Sequence, residues 1–468
     1  MNANLKLCRR QFLRMGAIAA AGTALAACAP QQPTAAPQAQ ATEAPVKETV
    51  VVKETVVAEP TASYEQGTLS ILLCCSGPDE QAAKEKFNER FAQAHPGVKI
   101  DQQPMPAGQD YFEKLQTVIA ANTAPDIYDM WEGYVQPYAK NGALVNLEPF
   151  FEKDTKLKKT DLWPGALASV TYEGSLYSML IALMPGPVSI YYNKKLLDAA
   201  KVDPPQSDWT WDQLHEAARK LTITEGSNTK QYGFVVDNWF VPWLYWIWSN
   251  GGDVFDADEK KCIINEKPAV EAIQYWADWV VKDKIAPNAS TMQSMQGSVN
   301  MFQTNLVGLY MGNCWDLATL KQAKDLDWGA CLSPKANNGN RVFYQHTWCW
   351  GIWTGTKKPN LCWEYVRDFV TDEWMMTQFN TFQKAFPAVK SLLSTFMTPE
   401  TEALGWTGVV DIVGDPKRLR YPGAGAKWDK ISSMIQSDMM DLAFTGDKTA
   451  QQGADEVAPK VDEELARE

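Results

Sequence analysis

Between residues 68 and 128, apolar runs of strand length alternate with segments of helical period, and this alternation narrows the possible folds more than any other feature. Residues 68–75 (TLSILLCC) read as a buried strand, broken by Gly77-Pro78. Ala83, Phe87 and Phe91 then recur every four residues, the inner face of a helix that Pro96-Gly97 ends. Residues 98–101 form a second strand. Residues 111–121 form a helix with Leu115, Val118 and Ile119 inward, and 125–128 a third strand. Strand–helix–strand at this spacing implies an α/β fold, a parallel sheet covered by helices.

Near residue 185 the pattern changes. The extended runs 179–184 and 188–192 are separated by Pro185-Gly186-Pro187. Two prolines flanking a glycine suit a crossing between lobes better than a continuous strand. Thr210 then opens a helix as Thr-x-x-Gln with Gln213, a capping box, and Trp211, Leu214, Ala218 and Leu221 form its buried stripe. Later helices span 268–281 and 360–370, the latter with Leu361, Tyr365 and Phe369 on one side.

The N-terminus stands apart from this pattern. Arg9-Arg10 with Phe12-Leu13-Arg14, followed by an uncharged stretch from Met15 to Ala27, reads as an export signal over 1–27, of the twin-arginine type except that Cys8 stands where Ser or Thr is usual. The stretch ends Leu25-Ala26-Ala27-Cys28, a lipobox pattern in which Cys28 becomes the lipid-bearing N-terminus. Residues 28–66, rich in Ala, Pro, Gln and Thr, lack the apolar periodicity to pack and read as a disordered tether. No later run is long enough to span a bilayer, so the lipid is the one expected membrane attachment, on the outer face of the cytoplasmic membrane.

Charge and composition exclude several classes. The 468 residues carry a net charge of −12, and cleavage before Cys28 removes four basic and no acidic residues, taking it to −16. A chain so acidic is not a nucleic-acid binder. The three histidines, His95, His215 and His346, are too few for most multi-histidine metal sites, and no metal or cofactor is called for. No G-x-S-x-G, H-E-x-x-H or P-loop spacing is present. Seven cysteines remain after Cys8 and Cys28, an odd number without any CxxC, and Cys74-Cys75 reads as the buried end of a strand.

The order of segments resembles the family 1 extracellular solute-binding proteins of ABC importers, the group that includes maltose-binding proteins. The stretches that carry the resemblance run from 68 to about 460. They are Pro125-Asp126-Ile127, Asn141-Gly142-Ala143-Leu144, Tyr172-Glu173-Gly174, Tyr191-Tyr192-Asn193-Lys194, Trp209-Thr210-Trp211, Gly251-Gly252-Asp253, Met311-Gly312-Asn313-Cys314-Trp315, 348–353, Arg420-Tyr421-Pro422 with Trp428, and Phe444-Thr445-Gly446. The resemblance implies a two-lobed, type II-like periplasmic-binding-protein fold. Lobe 1 would hold 67–185 with 342–372 and lobe 2 186–341 with 373–468, joined by about three crossings, with a hinge at Pro185, Gly186 and Pro187. It further implies a monomer that closes on a small solute and delivers it to permease subunits driven by a cytoplasmic ATPase.

A sugar ring offers an apolar C–H face to an indole and a hydroxyl rim to carboxylates, amides and Arg. Nineteen tryptophans make such a site possible, although most are core residues, as Trp243 and Trp246 are expected to be. Trp131 stands at a strand's C-terminal end, where open α/β sheets bind ligands. Trp315 and Trp428 align with family positions that stack on sugar. Trp239 and Trp348 are further candidates. For the rim, Asp79, Glu80, Glu132, His346, Arg420 and Tyr421 are candidates. Asp79 and Glu80 suit equally the first turn of a helix, His346 a structural role, and Arg420 a surface ion pair. These residues point to a carbohydrate-binding protein, with no catalytic residue. A non-sugar solute such as a polyol or glycerol phosphodiester on the same fold, or a secreted glycoside hydrolase with two carboxylates, are the alternatives.

Overall fold

The computed structural model describes residues 64–467 apart from 75, 106–108, 227, 384 and 424; the leader, Cys28 and all of the tether before residue 64 lie outside the described residues. The chain builds two lobes, each on its own sheet. The first three strands, β1 (Gly67–Cys74), β2 (Val98–Met105) and β3 (Ile127–Trp131), are linked by the helices Pro78–Ala94 and Gln109–Ala120. Both β2 and β3 pair parallel to β1, with Ile71 opposite Ile127, as the alternation predicts. Leu69, Ile71, Leu72 and Leu73 are buried, and Ala83, Phe87 and Phe91 of the first helix are buried in the same core, Phe87 packing edge-on to Tyr365 and Phe369.

After the short hairpin β4 (Thr171–Tyr172) and β5 (Ser175–Leu176) comes β6 (Ser178–Gly186), buried along its whole length. A strand covered on both faces reads as a continuous apolar run rather than an alternating one. The second sheet then opens with β7 (Ser189–Asn193), β8 (Ile223–Glu225), β9 (Asn228–Val235), β10 (Val307–Gly312) and β11 (Trp328–Leu332). The chain returns to the first sheet with β12 (Phe343–Ile352), β13 (Phe386–Pro387) and β14 (Leu419–Arg420). The seven-stranded sheet runs β13-β6-β12-β3-β1-β2, with β14 beside β12, and the five-stranded sheet runs β11-β7-β10-β9-β8.

The chain therefore crosses between sheets at 187–188 and again over 333–342; Pro185 and Gly186, expected with Pro187 to form the hinge, still pair with Gln345 and Tyr344 as the end of β6, so only Pro187 lies in the crossing. After β14 the helices Trp428–Ile435 and Ala450–Ala466 pack around the helix Lys267–Val281 of the second lobe, directly or through the segment between them. The helix Phe240–Ser249 is apolar all round, and such a helix belongs in a core. Its Trp243 and Trp246 are fully buried, Trp246 stacking on Trp276 at 5.9 Å between ring centres. In the helix Trp211–Leu221, the Gln213 side chain accepts from the Thr210 N–H at 2.8 Å, half of the capping box read from the sequence.

Three features differ from the sequence reading. Order begins before residue 67: Tyr64 packs edge-on to His95, and Glu65 accepts from the backbone N–H groups of Asn360 and Leu361, satisfying the first turn of the helix Pro359–Thr371. The division after 372 separates strands that pair, because β13 lies beside β6 in the seven-stranded sheet and the helix Glu373–Gln383 packs on Pro78–Ala94. Cys74, read as a simple apolar strand end, is buried but disulfide-bonded, whereas Cys262, Cys314, Cys331, Cys349 and Cys362 are free and buried. Among the described residues, no helix is long and apolar enough to cross a membrane and no cluster of His, Cys, Asp or Glu is arranged to hold a metal ion.

Candidate functional site: an aromatic cleft between the lobes

A cleft of about 780 Å³ opens beside the C-terminal ends of β3 and β6, the N-terminal half of the antiparallel β12, and the segments that follow β9 and β10. From the first lobe it takes Trp131 and Glu132 at the end of β3, Met184 of β6, and Tyr344, His346 and Trp348 of β12. From the second lobe and the C-terminal helices it takes Trp239, Phe240, Trp315, Trp428, Asp429 and a run of small polar residues, Ser432, Ser433, Gln436 and Ser437. Tyr344, His346 and Trp348 share one face of β12 because side chains alternate along a strand. Gln345 and Thr347 point the other way, where the Gln345 amide donates to the Ala166 carbonyl at 3.2 Å and to the Thr347 hydroxyl at 3.1 Å.

The aromatic wall is graded in exposure. Trp131, Trp239 and Trp315 are half-buried, so part of each indole faces the cleft. Trp131 and Trp315 flank His346, at 5.9 and 5.7 Å between ring centres. Tyr134 stacks on Phe112 at 3.9 Å and braces the Trp131 side. Trp348 is only 4% exposed, with its N–H on Asp129 Oδ1 at 2.7 Å. Trp428 reaches the wall but is 2% exposed, held between Phe240, Trp243 and Phe255. The stacking role that the resemblance implies for Trp428 thus meets a residue whose area is spent on packing.

Two carboxylates face this wall. Glu132 is buried and accepts three hydrogen bonds, from the Tyr344 hydroxyl, from His346 Nδ1 at 3.0 Å and from the Thr347 N–H at 2.8 Å. Burial opposes its charge, but the His346 ring and these donors outweigh burial and hold the carboxyl below its usual range. Asp429 is shifted the other way. Burial raises it, the nearby Glu132 charge adds to the rise, and a hydrogen bond with Tyr134 only partly offsets both. Among the described residues, no Lys or Arg lines the cleft.

Behind the wall lies a buried polar network. Asp129 accepts from the Cys74 N–H at 2.6 Å and from the Trp348 and Trp350 indoles, and burial pushes its carboxyl up to about 6. Lys84 pairs with Glu80 at 2.8 Å, both buried, and its ammonium lies 5.1 Å from the centre of the Trp348 ring.

Of the residues singled out from the sequence, Trp131, Glu132, Trp239, Trp315, His346, Trp348 and Trp428 are brought together at the cleft. Four are not among its lining. Asp79 is an exposed first-turn acid of the helix Pro78–Ala94. Glu80 turns inward to Lys84, an i,i+4 partner one helical turn on. Arg420 pairs with Asp253 at 2.5 Å and lies 4.7 Å over the Trp248 ring, the ion-pair alternative. Tyr421 stands behind the wall, its hydroxyl buried with no hydrogen-bond partner among the described residues. The sequence reading passed over Tyr134, Phe240, Tyr344, Asp429 and the serines. Ser432, Ser433, Gln436 and Ser437 follow Trp428 at spacings of about four, the one local signal that could have marked a polar helix face directed at a ligand. A short π-helix at Gln436–Met440 carries the last two, and such turns recur at functional sites.

The family model for bacterial extracellular solute-binding proteins matches residues 76–376. The chain belongs to that family. Among solved structures, an ABC substrate-binding protein of Listeria monocytogenes in complex with cycloalternan superposes on this solute-binding protein with a TM-score of 0.75 at 22% identity, over 86% of this chain and 100% of that one. Maltose-bound T. maritima MalE3 superposes with a TM-score of 0.68 at 22% identity, over 84% and 99%. The diacetylchitobiose binding protein DasA of Streptomyces coelicolor is 22% identical over 271 residues, 56% of this chain and 60% of its own. The structural likenesses give this solute-binding protein the two-lobed fold of its neighbours.

Proposed function

We propose that this solute-binding protein captures a carbohydrate, a sugar or oligosaccharide, and delivers it to the permease of an ABC importer without altering it. One observation carries the reading: half-buried indoles from both lobes, Trp131, Trp239 and Trp315, converge on a cleft whose polar groups are two carboxylates, a histidine and small hydroxyl and amide side chains. Indole faces suit sugar C–H faces, and carboxylates and amides suit the hydroxyl rim. The same wall disfavours a glycerol phosphodiester, whose charge would meet Asp429 and find no Lys or Arg among the described lining residues. A neutral polyol remains compatible with the lining but would use few of the indole faces. The cycloalternan, maltose and diacetylchitobiose in the names of its relatives agree with the saccharide reading.

Closure about the 187–188 and 333–342 crossings would bring the Trp131 and Trp315 sides onto the ligand, and only a ligand that fits the closed state better can drive it. Transport rather than turnover fits Glu132, whose oxygens are occupied by three donors. The remaining parts of the proposal are export, lipid anchoring at Cys28 on the outer face of the cytoplasmic membrane, and a monomeric state. The test is prolonged incubation with a panel of oligosaccharides, followed by chromatography. Saturable binding with every sugar recovered intact is expected. Hydrolysed product would replace the binding role with the glycosidase alternative.

A further inference from the structure

A second cavity, of about 390 Å³, lies outside the aromatic cleft, against the 333–342 crossing. Four separate stretches of chain meet there. Ser207 and Asp208 come from the loop before the helix Trp211–Leu221, and Leu332, Lys335 and Arg341 from the end of β11 and the crossing itself. Residues 405–411 and Arg418, just ahead of β14, complete it. Three cationic side chains thus converge in a chain whose overall charge is −12.

Arg341 is the centre of the argument. It is 7% exposed, and its guanidinium donates to the Ser207 carbonyl, yet its Nε is buried with no hydrogen-bond partner among the described residues. Among the described residues, no carboxylate forms an ion pair with Arg341, Lys335 or Arg418. The two acids at the cavity, Asp208 and Asp411, are exposed. A buried charge without a paired counter-charge is costly, and native structures resolve it with a partner or a bound ion. Burial pulls the Arg341 guanidinium below its ordinary value and the Arg418 charge adds to this, while Tyr245, Cys331 and the exposed Asp208 only partly oppose it.

We propose that this cavity binds a small tetrahedral oxyanion of the phosphate or sulfate class, with Arg341 as its buried anchor and Arg418 and Lys335 as its rim. Planar guanidinium forks match such oxyanions bidentately, and a point-charge ammonium complements them. The site differs from the solute cleft in charge and lining, so it does not depend on the carbohydrate reading. Because the ligand would touch the crossing and both flanking segments, it would also brace one of the connections between the sheets.

The test is a ³¹P line-broadening titration of the full chain with inorganic phosphate at constant ionic strength, with sulfate as competitor and chloride as control. Wild type should give saturable broadening that sulfate reverses and chloride does not. Arg418→Gln and Lys335→Gln, both at only partly buried positions, should each weaken phosphate at least about tenfold, with far-ultraviolet circular dichroism unchanged. Arg341→Gln should abolish binding. No saturable broadening in wild type, or unaltered affinity in both rim variants, would overturn the proposal.

Discussion

Trp315 and Trp428 both reach the cleft, but their surroundings predict opposite responses to truncation. Trp315 is half-buried beside His346 and keeps indole surface for a ligand. A tryptophan buries on the order of 200 Å² in full contact. Covering half of it by a sugar face is worth about 2.5 kcal/mol at about 25 cal/mol per Å². Trp315→Ala should therefore weaken the best saccharide ligand by between one and two decades in Kd, with little change in the melting temperature of the ligand-free protein. Trp428 is 2% exposed among Phe240, Trp243 and Phe255, and its N–H makes no hydrogen bond among the described residues. Trp428→Ala should cost about 3–5 kcal/mol of folding stability, the range for emptying a core of an aromatic. Trp428→Phe should recover much of that stability and keep the affinity, because no hydrogen bond is lost. Calorimetric titration of each variant, paired with denaturant unfolding without ligand, separates the two effects. Unchanged affinity in Trp315→Ala, or unchanged stability in Trp428→Ala, would refute the assignment of one to the ligand and the other to the core.

Asp429 carries a raised carboxyl at the cleft, so saccharide affinity should decline as acid protonates it. Asp429→Asn should weaken binding about tenfold at neutral pH and flatten that acid-side decline, both read by titration across pH. Asp316 accepts from the Tyr310 hydroxyl and the Asn313 N–H, both at 2.7 Å, and burial pushes it up to about 6 from 3.8. Its folded state holds the proton more tightly than the unfolded chain, so its contribution is complete at low pH and is lost as pH rises through about 6. Urea unfolding between pH 4 and 7 should show a shallower fall in Asp316→Asn than in wild type, and an identical slope would contradict the assignment. Cys28→Ser should release the protein from membranes or block its processing, and a variant that stays membrane-bound at unchanged mass would rule out the lipid anchor.

Local patterns made the first lobe legible. The β1–β2–β3 alternation, the helix stripe Ala83-Phe87-Phe91 and the crossing at Pro187 are each written within a few residues, where period and breaker rules apply. Pairings between distant segments are not written that way. Nothing near Phe386 announces that β13 lies beside β6, and nothing near Arg420 distinguishes a ligand from Asp253, 167 positions away. Glu80 shows the limit at short range: a first-turn acid reads as exposed or ligand-facing, yet Lys84 one turn later draws it into the interior. Within the cleft, aromatic residue type was informative for Trp131, Trp239 and Trp315. It could not separate these from Trp428, because burial is set by Phe240, Trp243 and Phe255, which approach it from other parts of the chain.

The central claim is that the inter-lobe cleft takes an uncharged saccharide, and the most direct measurement is calorimetric titration of the intact protein. The panel would be neutral mono- and oligosaccharides, with a glycerol phosphodiester as the charged comparison. At least one saccharide should saturate at one site per chain with a Kd in the micromolar range or tighter, while the phosphodiester gives no heat attributable to the cleft. Saturable one-site binding of the phosphodiester, with no saccharide bound, would contradict it.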